Sequence, residues 1–287
     1  MYTGRFAPTP SGSLHLGSIC TALGAYLRAR SLNGKIILRI EDLDVPRCPP
    51  QASRQILCDL NTLGFHFDGE VIFQSQHLQR YQQILSKLML SGRAYYCSCT
   101  RHSLKEHPCR CYLQKLSENC AHSVRFYSDL TLDNHFFDEL LGDCRTNFAD
   151  LHIALKRSDG IFSYNFACVV DDIDENINEV VRGADLIEMT PIQKLLYKEL
   201  KHNAPNYLHL PLIKLNQELK YSKQNHAVAA LKLGSPQEVL LKCLKLLNQD
   251  TSFYKKDMSA EHMLFCAARS FDFKKIPTDS IIVTPQT

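Results

Sequence analysis

The first forty residues hold the feature that most limits the fold of this chain: an apolar strand, a loop of small residues, a helix and a second apolar strand. Thr3 to Phe6 favours a short strand, and the loop from Pro8 to Ser18 leads into a helical spacing of apolar residues. The run from Lys35 to Ile40 is typical of a strand buried on both faces of a parallel sheet. This order predicts a right-handed crossover unit, which is how nucleotide-binding folds begin.

Beyond this unit, the spacing of apolar residues alternates between helical and strand periods. It predicts helices over 53–63, 78–90, 191–200, 227–233, 236–247 and 260–270, strands over 153–156, 179–182 and 208–213, a short strand at Phe73 and a buried apolar run over 166–170. Residues 95–124 lack this periodicity, which indicates a small inserted module. We expect 276–287 to form a poorly ordered tail. The predicted segments are 1–94, 95–124, 125–213 and 214–287.

Composition and charge set broad limits on the class of protein. With 287 residues and 45% hydrophobic content, the chain can bury a sizeable core. Its net charge of +3 permits contact with a phosphate backbone without requiring it. The first residues lack the basic start and apolar run of a secretory signal, and no apolar stretch reaches bilayer length. We therefore expect a cytoplasmic protein without membrane contact.

Two Cys-x-Cys pairs stand in the inserted module, among the 12 cysteines of the chain. Four thiolates suit a closed tetrahedral Zn²⁺ site, which would fold a module too small to have its own core. Each pair presents both sulfurs from one tight turn. The chemistry therefore favours Cys97, Cys99, Cys109 and Cys111 as ligands of one structural zinc ion, with Cys120 in reserve.

The loop between the first strand and the first helix is placed where a parallel nucleotide fold presents a helix N-terminus to a phosphate. Its candidate ATP-binding residues are Pro8, Ser11, Gly12, His15, Gly17 and Ser18. We expect His15 to lie in the first helical turn and direct a ring nitrogen at the phosphates, while Gly17 leaves room for the adenine ring. The alternative is a proline-rich turn with a capping serine.

A second polar segment, Lys220 to Asn225, follows the last predicted strand. Lys220, Ser222 and Lys223 could follow a triphosphate as negative charge builds during attack at the α-phosphate. We expect His15 and Lys223 to be the catalytic residues. Taken alone, the segment could equally be a solvated loop; paired with the first loop, it favours a nucleotide site.

These two segments carry a resemblance to the class I aminoacyl-tRNA synthetases. The first loop resembles their HIGH signature, with Ser18 in place of the second histidine, and Lys220–Lys223 resembles their KMSKS signature, with Tyr221 in the methionine position. Residues 5–12, 38–44 and 73–76 resemble glutamyl-tRNA synthetases in particular, and the similarity covers roughly residues 3–230. It implies an α/β fold: a Rossmann-like parallel sheet with an inserted zinc module and a helical C-terminal region.

Glutamate needs a guanidinium for its side-chain carboxylate and an acid for its ammonium, because both groups lose water on binding. Arg5 and Arg182 could supply the guanidinium, and Glu41 the acid. The resemblance supports these three and adds Ala7, Thr9 and Tyr164 to the glutamate site. Alternatively, Arg182 caps a strand end in a surface ion pair and Tyr164 belongs to the core.

Two positions depart from the pattern of the family. Cys168 stands where full-length glutamyl enzymes usually carry asparagine, which argues against identical handling of the acceptor end. The family typically holds zinc with a Cys-x-Cys pair, a tyrosine and a cysteine. Here Cys111 or Tyr112 could take the tyrosine position, and Cys109 or Cys120 the last, so Tyr112 and Cys120 are reserve ligands.

About 60 residues follow Asn225, too few for the helical anticodon-binding region of full-length glutamyl-tRNA synthetases. This shortened form resembles the glutamyl-Q tRNA(Asp) synthetases. The resemblance implies activation of L-glutamate with ATP and Mg²⁺, without tRNA, and transfer to queuosine in the anticodon loop of tRNA(Asp). We expect the protein to be a monomer. The alternatives are a shortened synthetase charging a tRNA 3′ end and a non-catalytic zinc RNA-binding module.

Overall fold

The computed structural model describes residues 1–100, 102–107, 109–120, 123–148, 152–214 and 229–283. The α-helices in these ranges are α1 (Leu16–Ser31), α2 (Pro50–Thr62), α3 (Leu78–Leu90), α4 (Ser103–Glu106), α5 (Tyr164–Asp174), α6 (Thr190–Glu199), α7 (Pro236–Leu246) and α8 (Ala260–Ser270). None of these described helices has the length and apolar character that crossing a bilayer requires.

The strands form several small sheets. They are β1 (Thr3–Phe6), β2 (Lys35–Ile40), β3 (Ile72–Phe73), β4 (Ala94–Cys97), β5 (Ser123–Phe126), β6 (His135–Asp138), β7 (Gly142–Arg145), β8 (Ala154–Lys156), β9 (Glu179–Gly183), β10 (Asn206–Leu210), β11 (Ile213–Lys214) and β12 (Ile281–Ile282). Strands β1, β2 and β3 pair in parallel in that order, and β9 pairs in parallel with β10.

A hydrogen-bonded contact joins these two parallel sheets. The backbone N–H of Asn178 donates to the carbonyl of Thr3 at 3.0 Å, and the Asn178 side-chain oxygen accepts the N–H of Thr3 at 3.0 Å. Strand β9 therefore begins beside β1, and the carboxyl ends of β1, β2, β9 and β10 meet at one edge. The predicted parallel α/β fold is confirmed, and ligands in such folds bind at this edge.

Helix α1 is the centre of the larger hydrophobic core. Leu16, Ile19, Leu23 and Leu27 recur at helical spacing and are at most 1% exposed, because one face of α1 covers the sheet and others meet α7 and α8. The helix ends before Asn33, whose positive φ of 51° reverses the chain into β2. Helices α7 and α8 confirm the predicted helical C-terminal region.

A second core lies under the inserted segment. It contains apolar side chains of α3, α5 and α6 with those of β4, β5 and β8, which form an antiparallel sheet. Antiparallel strands β6 and β7 form a hairpin whose turn residue Glu139 donates its backbone N–H to the carbonyl of Tyr207 in β10. The hairpin therefore lies against the parallel sheet, close to its ligand-binding edge.

Four expectations need correction or refinement. The predicted tail is wrong over 276–283: Ile276 is only 3% exposed, and β12 pairs in parallel with β11, because the chain returns across the core formed by α7 and α8. Residues 284–287 lie outside the described ranges. The strand predicted over 208–213 is interrupted between Leu210 and Ile213 by Pro211, which lacks the N–H that a continuous strand would use.

Two short apolar segments differ from their predicted form. The run over 166–170 lies within helix α5, because a fully buried helix shows the same unbroken apolar sequence as a buried strand. Of the helix predicted over 227–233, residues 229–233 contain only the 3₁₀ turn Ala230–Lys232, and residues 227 and 228 lie outside the described ranges. The predicted domain boundaries stay predictions.

Candidate active site and thiol cluster

The loop after β1 lines a cavity of about 290 Å³ at the carboxyl edge of the sheet. The lining residues from this side are Phe6, Ala7, Pro8, Thr9, Leu14, His15, Gly17, Ser18 and Thr21, and the opposite wall consists of Gly183, Asp185, Leu186, Pro211, Leu212 and Ile213. The cavity therefore brings together four of the predicted ATP-binding residues and two of the predicted glutamate-binding residues. Ser11 and Gly12 belong to the same loop but do not line this cavity.

His15 caps α1 and lies just before its first turn, one position earlier than expected. The backbone N–H of Ser18 donates to His15 Nδ1 at 3.2 Å, and the Ser18 hydroxyl oxygen lies 3.1 Å from Nε2. Because Nδ1 accepts a hydrogen bond, the neutral ring carries its proton on Nε2 and donates it to Ser18. The serine that replaces the second histidine of the HIGH signature thus orients the first one.

Glycine is required at two positions of this loop. Gly12 has a φ of 142°, which side-chain-bearing residues rarely adopt. A Cβ atom added to Gly17 would lie 3.2 Å from the His15 ring, tighter than an ordinary contact. Gly12 therefore permits the turn of the loop, and Gly17 permits the close approach of the His15 ring beside the cavity.

The lysine segment Lys220, Ser222 and Lys223 lies outside the described residues, as does Tyr221. The chain on either side of residues 215–228 is described. Ile213 lines the cavity, and on the other side Ala229 forms an antiparallel bridge with His15 while Ala230 donates its N–H to the carbonyl of Leu14 at 2.9 Å. The chain therefore leaves and returns beside the first loop.

Two of the predicted glutamate ligands, Arg5 and Glu41, are buried at the ends of adjacent strands. Arg5 Nε donates to Asp172 at 3.1 Å. The Thr9 hydroxyl contacts Glu41 at 3.5 Å, and the Cys168 thiol donates to the other Glu41 oxygen at 3.6 Å. Because Thr9 also lines the cavity, it connects the buried carboxylate to the cavity wall.

The pKa values of Glu41 and Tyr164 reflect their burial and the charged groups around them. Burial raises the pKa of Glu41, and the charges of Arg39 and Arg5 only partly offset that effect. The pKa of Tyr164 is raised well above its usual value, first by burial and then by Cys168; Arg182 lowers it, Glu41 raises it and Arg5 lowers it. Tyr164 therefore lies within electrostatic reach of both predicted arginines and the predicted acid.

Arg39 is a site residue that the sequence interpretation missed. It is fully buried, and its guanidinium donates to Asp172 at 2.7 Å and to Glu175, and approaches the Cys168 sulfur at 3.5 Å. Since Asp172 also binds Arg5, Arg39 holds the carboxylate that orients the predicted glutamate ligand. A charged residue inside the apolar run from Lys35 to Ile40 was the available signal.

Arg182 does not form the surface ion pair considered as its alternative role. It is 4% exposed, and its guanidinium donates to Gln193 at 2.7 Å and to Thr190 at 2.8 Å, and contacts His209 at 3.1 Å. The residues that follow it, Gly183 and Asp185, line the cavity. Arg182 does not itself line the cavity; it lies next to a lining residue in the chain, and its hydrogen bonds hold the guanidinium in one plane.

Four cysteine sulfurs in the inserted segment converge on one point. The sulfurs of Cys97, Cys99, Cys109 and Cys111 all lie within 4.8 Å of one another, and three pairs are separated by 3.5, 3.6 and 3.8 Å. Four sulfurs at about 2.3 Å from a tetrahedral Zn²⁺ lie roughly 3.8 Å apart. The cluster could therefore hold a metal ion such as zinc.

Neighbouring groups support this cluster and separate it from the reserve ligands. Arg125 donates to the Cys97 sulfur and the Tyr95 hydroxyl to the Cys109 sulfur, each at 3.2 Å. Such outer hydrogen bonds orient metal ligands. The ring of Tyr112 instead stacks on Tyr127 and His152, and Cys120 is exposed beside Ser117. Among the described residues, neither belongs to the group of four.

The chain matches a tRNA synthetase family, named relatives and, in its fold, a solved structure. The family described as tRNA synthetases class I (E and Q), catalytic domain, matches residues 2–111 and 111–263. The glutamyl-Q tRNA(Asp) synthetase of Pectobacterium atrosepticum is 42% identical over 99% of this chain and 89% of its own length, and that of Escherichia coli O157:H7 is 40% identical over 98% and 92%. A crystal structure of the glutamate-tRNA synthetase from Elizabethkingia anophelis, 24% identical, has a similar fold with a TM-score of 0.80, covering 99% of this chain and 68% of that one.

Proposed function

The chain belongs to the glutamyl-Q tRNA(Asp) synthetase family of class I tRNA synthetases, and from this premise we propose that it activates L-glutamate with ATP and esterifies queuosine in tRNA(Asp). The observation that carries the proposal is the cavity whose nucleotide loop is joined through Thr9 to the buried Glu41, within reach of Arg5. We propose that the enzyme acts as a monomer in the cytoplasm and needs no tRNA for activation.

The first step is an in-line displacement on ATP. One oxygen of the glutamate α-carboxylate attacks the α-phosphorus, the bond to the bridging oxygen breaks, and pyrophosphate leaves with that electron pair. A mixed anhydride, glutamyl-adenylate, remains. We propose that Lys223 stabilises the charge that builds on the phosphates, and that His15 contributes through the Ser18 hydroxyl that it orients. Mg²⁺ would accompany ATP because phosphate oxygens are its preferred ligands.

Pro8, Ser11, Gly12, Gly17, Ser18, Lys220 and Ser222 complete the ATP site in this proposal. The first loop lies at the N-terminus of α1, and this position favours phosphate binding, since a helix N-terminus carries partial positive charge and N–H groups without partners inside the helix. With His15 donating to the Ser18 oxygen, the serine keeps its own hydrogen for a phosphate. The return of Ala229 to His15 supports a position for the lysine segment near the same phosphates.

Glutamate would lie where the buried charges converge. We propose that Arg5 and Arg182 bind its side-chain carboxylate, that Glu41 binds its ammonium, and that Ala7, Thr9 and Tyr164 enclose it. Each charge that glutamate brings would then meet an opposite charge already removed from water. Aspartate, one methylene shorter, could not reach both partners at once, and glutamine would leave an arginine without its counter-charge.

In the second step, a hydroxyl of the queuosine cyclopentenediol attacks the activated carbonyl carbon. AMP leaves, the hydroxyl proton is released, and an ester remains. An exposed anticodon-loop nucleoside suits recognition by stacking and edge contacts, as single-stranded RNA usually is. No covalent bond to the protein is needed in either step.

Glutamate-dependent ATP–pyrophosphate exchange tests the activation step. With purified, zinc-loaded protein and no tRNA, glutamate should support exchange, while glutamine and aspartate should support far less. Absence of exchange in folded protein would contradict the proposal and favour a non-catalytic RNA-binding module.

Transfer of labelled glutamate tests the acceptor. Queuosine-containing tRNA(Asp) should be labelled, and periodate, which cleaves the free diol, should prevent the labelling. The same tRNA with unmodified guanosine and tRNA(Glu) are the controls. Labelling of tRNA(Glu) instead would show that the chain charges a tRNA 3′ end.

For the thiol cluster, we propose one structural Zn²⁺ bound by Cys97, Cys99, Cys109 and Cys111. Four sulfurs in a closed arrangement leave no position for substrate, so the ion would stabilise the inserted segment and take no part in the reaction.

Two matched cysteine variants distinguish these ligands from the reserve ligand. Cys109→Ser should lower bound zinc well below one ion per chain and lower the melting temperature, whereas Cys120→Ser should keep one ion per chain. Metal content by mass spectrometry and thermal unfolding are the measurements. Loss of zinc from Cys120→Ser, with retention in Cys109→Ser, would reverse the assignment.

A further inference from the structure

We infer that His209, held by Asp138, is a positioning residue that fixes the guanidinium plane of Arg182 for glutamate binding. The inference rests on the proposed function, because it assigns Arg182 to the bound substrate. Its basis is a row of three fully or almost fully buried polar side chains, Asp138, His209 and Arg182, which are 0, 0 and 4% exposed.

The geometry assigns one tautomer to His209. Its Nε2 lies 3.1 Å from Arg182 Nε, and its Nδ1 lies 2.7 Å from an Asp138 carboxylate oxygen. An arginine Nε always donates, so Nε2 must accept. The ring proton is therefore on Nδ1, where it is donated to Asp138.

Asp138 is itself fixed from three directions. One of its oxygens accepts the backbone N–H groups of Leu140 and Leu141, at 3.0 and 2.9 Å, and the other accepts the backbone N–H of His209 at 3.0 Å. The β6–β7 hairpin therefore carries the anchor of the row, and its position determines where the imidazole points.

A neutral imidazole is needed beside the guanidinium. Burial lowers the pKa of His209 more than the hydrogen bond to Asp138 raises it, and the charge of Arg182 lowers it further. The ring therefore presents a lone pair to Arg182 instead of a second positive charge. A carboxylate in the same place would neutralise the arginine, whereas the imidazole orients it and leaves its charge for a ligand.

The remaining bonds of Arg182 define what is left for a ligand. Its guanidinium also donates to Gln193, Thr190 and the backbone carbonyl of Leu186. Among the described residues, these bonds and the one to His209 use four of the five N–H groups of an arginine. The remaining hydrogen is on Nη1, so the direction in which Arg182 can reach a substrate oxygen depends on how its plane is held.

Two substitutions separate the two sides of the imidazole: Nδ1, which contacts Asp138, and Nε2, which contacts Arg182 and, at 3.3 Å, the Thr190 hydroxyl. Glutamine at position 209 can place its amide oxygen near the former Nε2 and still accept from Arg182, while asparagine can keep the bond to Asp138 but falls short of Arg182. We expect His209→Asn to raise the KM for glutamate about tenfold, as expected for losing a hydrogen bond to a charged group. The KM for ATP should change less than about twofold, and His209→Gln should remain near the wild-type KM for glutamate.

A double-mutant cycle provides the control. In an Arg182→Lys background, which lacks Nε, His209→Asn should add little further change to the KM for glutamate. Equal KM values for the Gln and Asn variants, or an undiminished effect of Asn in the Arg182→Lys background, would overturn the inference. Thermal unfolding of each variant checks that it is folded.

Asp138→Asn replaces any His209 variant that fails to fold. Two backbone N–H groups, of Leu140 and Leu141, favour the amide oxygen at the position of Oδ1, which places the amide nitrogen opposite Nδ1. The nitrogen cannot accept the Nδ1 proton, so the proton would move to Nε2 and oppose Arg182 Nε. An unchanged KM for glutamate in this variant would also overturn the inference. All variants are measured in the exchange assay relative to wild type, so absence of exchange in wild type contradicts the proposed function, whereas exchange with unshifted KM values contradicts only the inference.

Discussion

The two ends of the candidate site, the cavity proposed for ATP and the buried charges proposed for glutamate, are built from different kinds of contact. At the amino-acid end, charged side chains are buried and bonded to one another: Arg5 to Asp172, Asp172 to Arg39, and Arg182 to its neutral neighbours. At the nucleotide end, small loop residues and His15, which caps α1, line the cavity. The first end is rigid before substrate arrives, and the second leaves room for a large, highly charged ligand.

This difference follows from what each ligand requires. Glutamate is small, and its recognition depends on a few charges at fixed separations, so its partners must be oriented in advance. A triphosphate changes its charge distribution during the reaction, so the groups that matter most are those that bind the transition state more strongly than the ground state. Substitutions at the two ends should therefore affect different kinetic constants.

The largest effect is expected from Arg5→Ala. Removing this guanidinium takes away a proposed glutamate ligand and leaves the buried Asp172 with one partner fewer, which should cost about 3 kcal/mol or more in glutamate binding, roughly 100-fold or more. The KM for ATP should change far less. Exchange kinetics measure both constants, and Arg54→Ala, an exposed arginine of α2, is the matched control. Parallel weakening of ATP and glutamate would contradict the comparison.

Lys223→Ala should produce the opposite pattern. Loss of a cation that binds the transition state should lower kcat for adenylate formation by about 100-fold, while the affinity for glutamate stays close to wild type. Single-turnover kinetics and equilibrium glutamate binding separate the two quantities. The exposed Lys232, just beyond the segment, provides a control in Lys232→Ala. Equal loss of binding and rate would mean that the lysine is structural.

A moderate, pH-dependent effect is expected from Glu41. Its raised pKa means that the carboxylate becomes protonated, and loses its attraction for the substrate ammonium, at a higher pH than an ordinary glutamate. The KM for glutamate should therefore rise as pH falls, starting at a higher pH than an ordinary glutamate side chain would cause. In Glu41→Gln the KM for glutamate should lose this dependence on pH, and in the control Glu70→Gln the dependence should persist.

The same shift has the opposite sign for stability. A carboxyl group whose pKa is higher in the folded than in the unfolded state favours folding when it is protonated. The unfavourable contribution of Glu41 to folding is therefore present at neutral pH and diminishes as pH falls through its folded pKa. Thermal unfolding of wild type and Glu41→Gln should converge toward acid pH; divergence would contradict the assigned direction.

The smallest effect is expected from Ser18→Ala. This change removes the hydroxyl that contacts His15 Nε2 but keeps the backbone N–H that donates to Nδ1. The KM for ATP should rise about threefold to tenfold, the range expected for one hydrogen bond, with no change for glutamate. Ser31→Ala, at the last residue of the same helix, is the control. If the KM for glutamate changed more than the KM for ATP, the distinction between the two ends would be contradicted.

Much of the fold was predictable because it depends on local periodicity. The parallel strand pair β1 and β2, helix α1 and helices α7 and α8 follow from apolar spacing together with turn residues. The short strands β5, β6 and β7 were not predicted, because their four-residue patterns have no distinctive period. Strand β12 was assigned to a tail, since its pairing with β11 depends on a partner more than sixty residues earlier in the sequence.

In the candidate site, too, some features follow from local sequence and others depend on distant partners. Motifs identified the two loops, the cysteine pairs and the charged residues that glutamate would need, because each of those requirements is a matter of residue type at a given spacing. Arg39, Asp138 and His209 were missed, since nothing in their local sequence tells which distant group each one contacts.

The amino-acid sequence by itself determined the parallel α/β class, a cysteine group that could hold a metal ion, and the chemical types that glutamate and ATP would need. Only the tertiary structure decided that Tyr112 and Cys120 lie outside the described thiol cluster, that His15 is turned toward Ser18, and that Arg182 is held by a buried imidazole. The physical reason is range: periodicity and residue type act over a few neighbours, whereas the orientation of a buried polar group depends on partners that only folding brings within hydrogen-bonding distance.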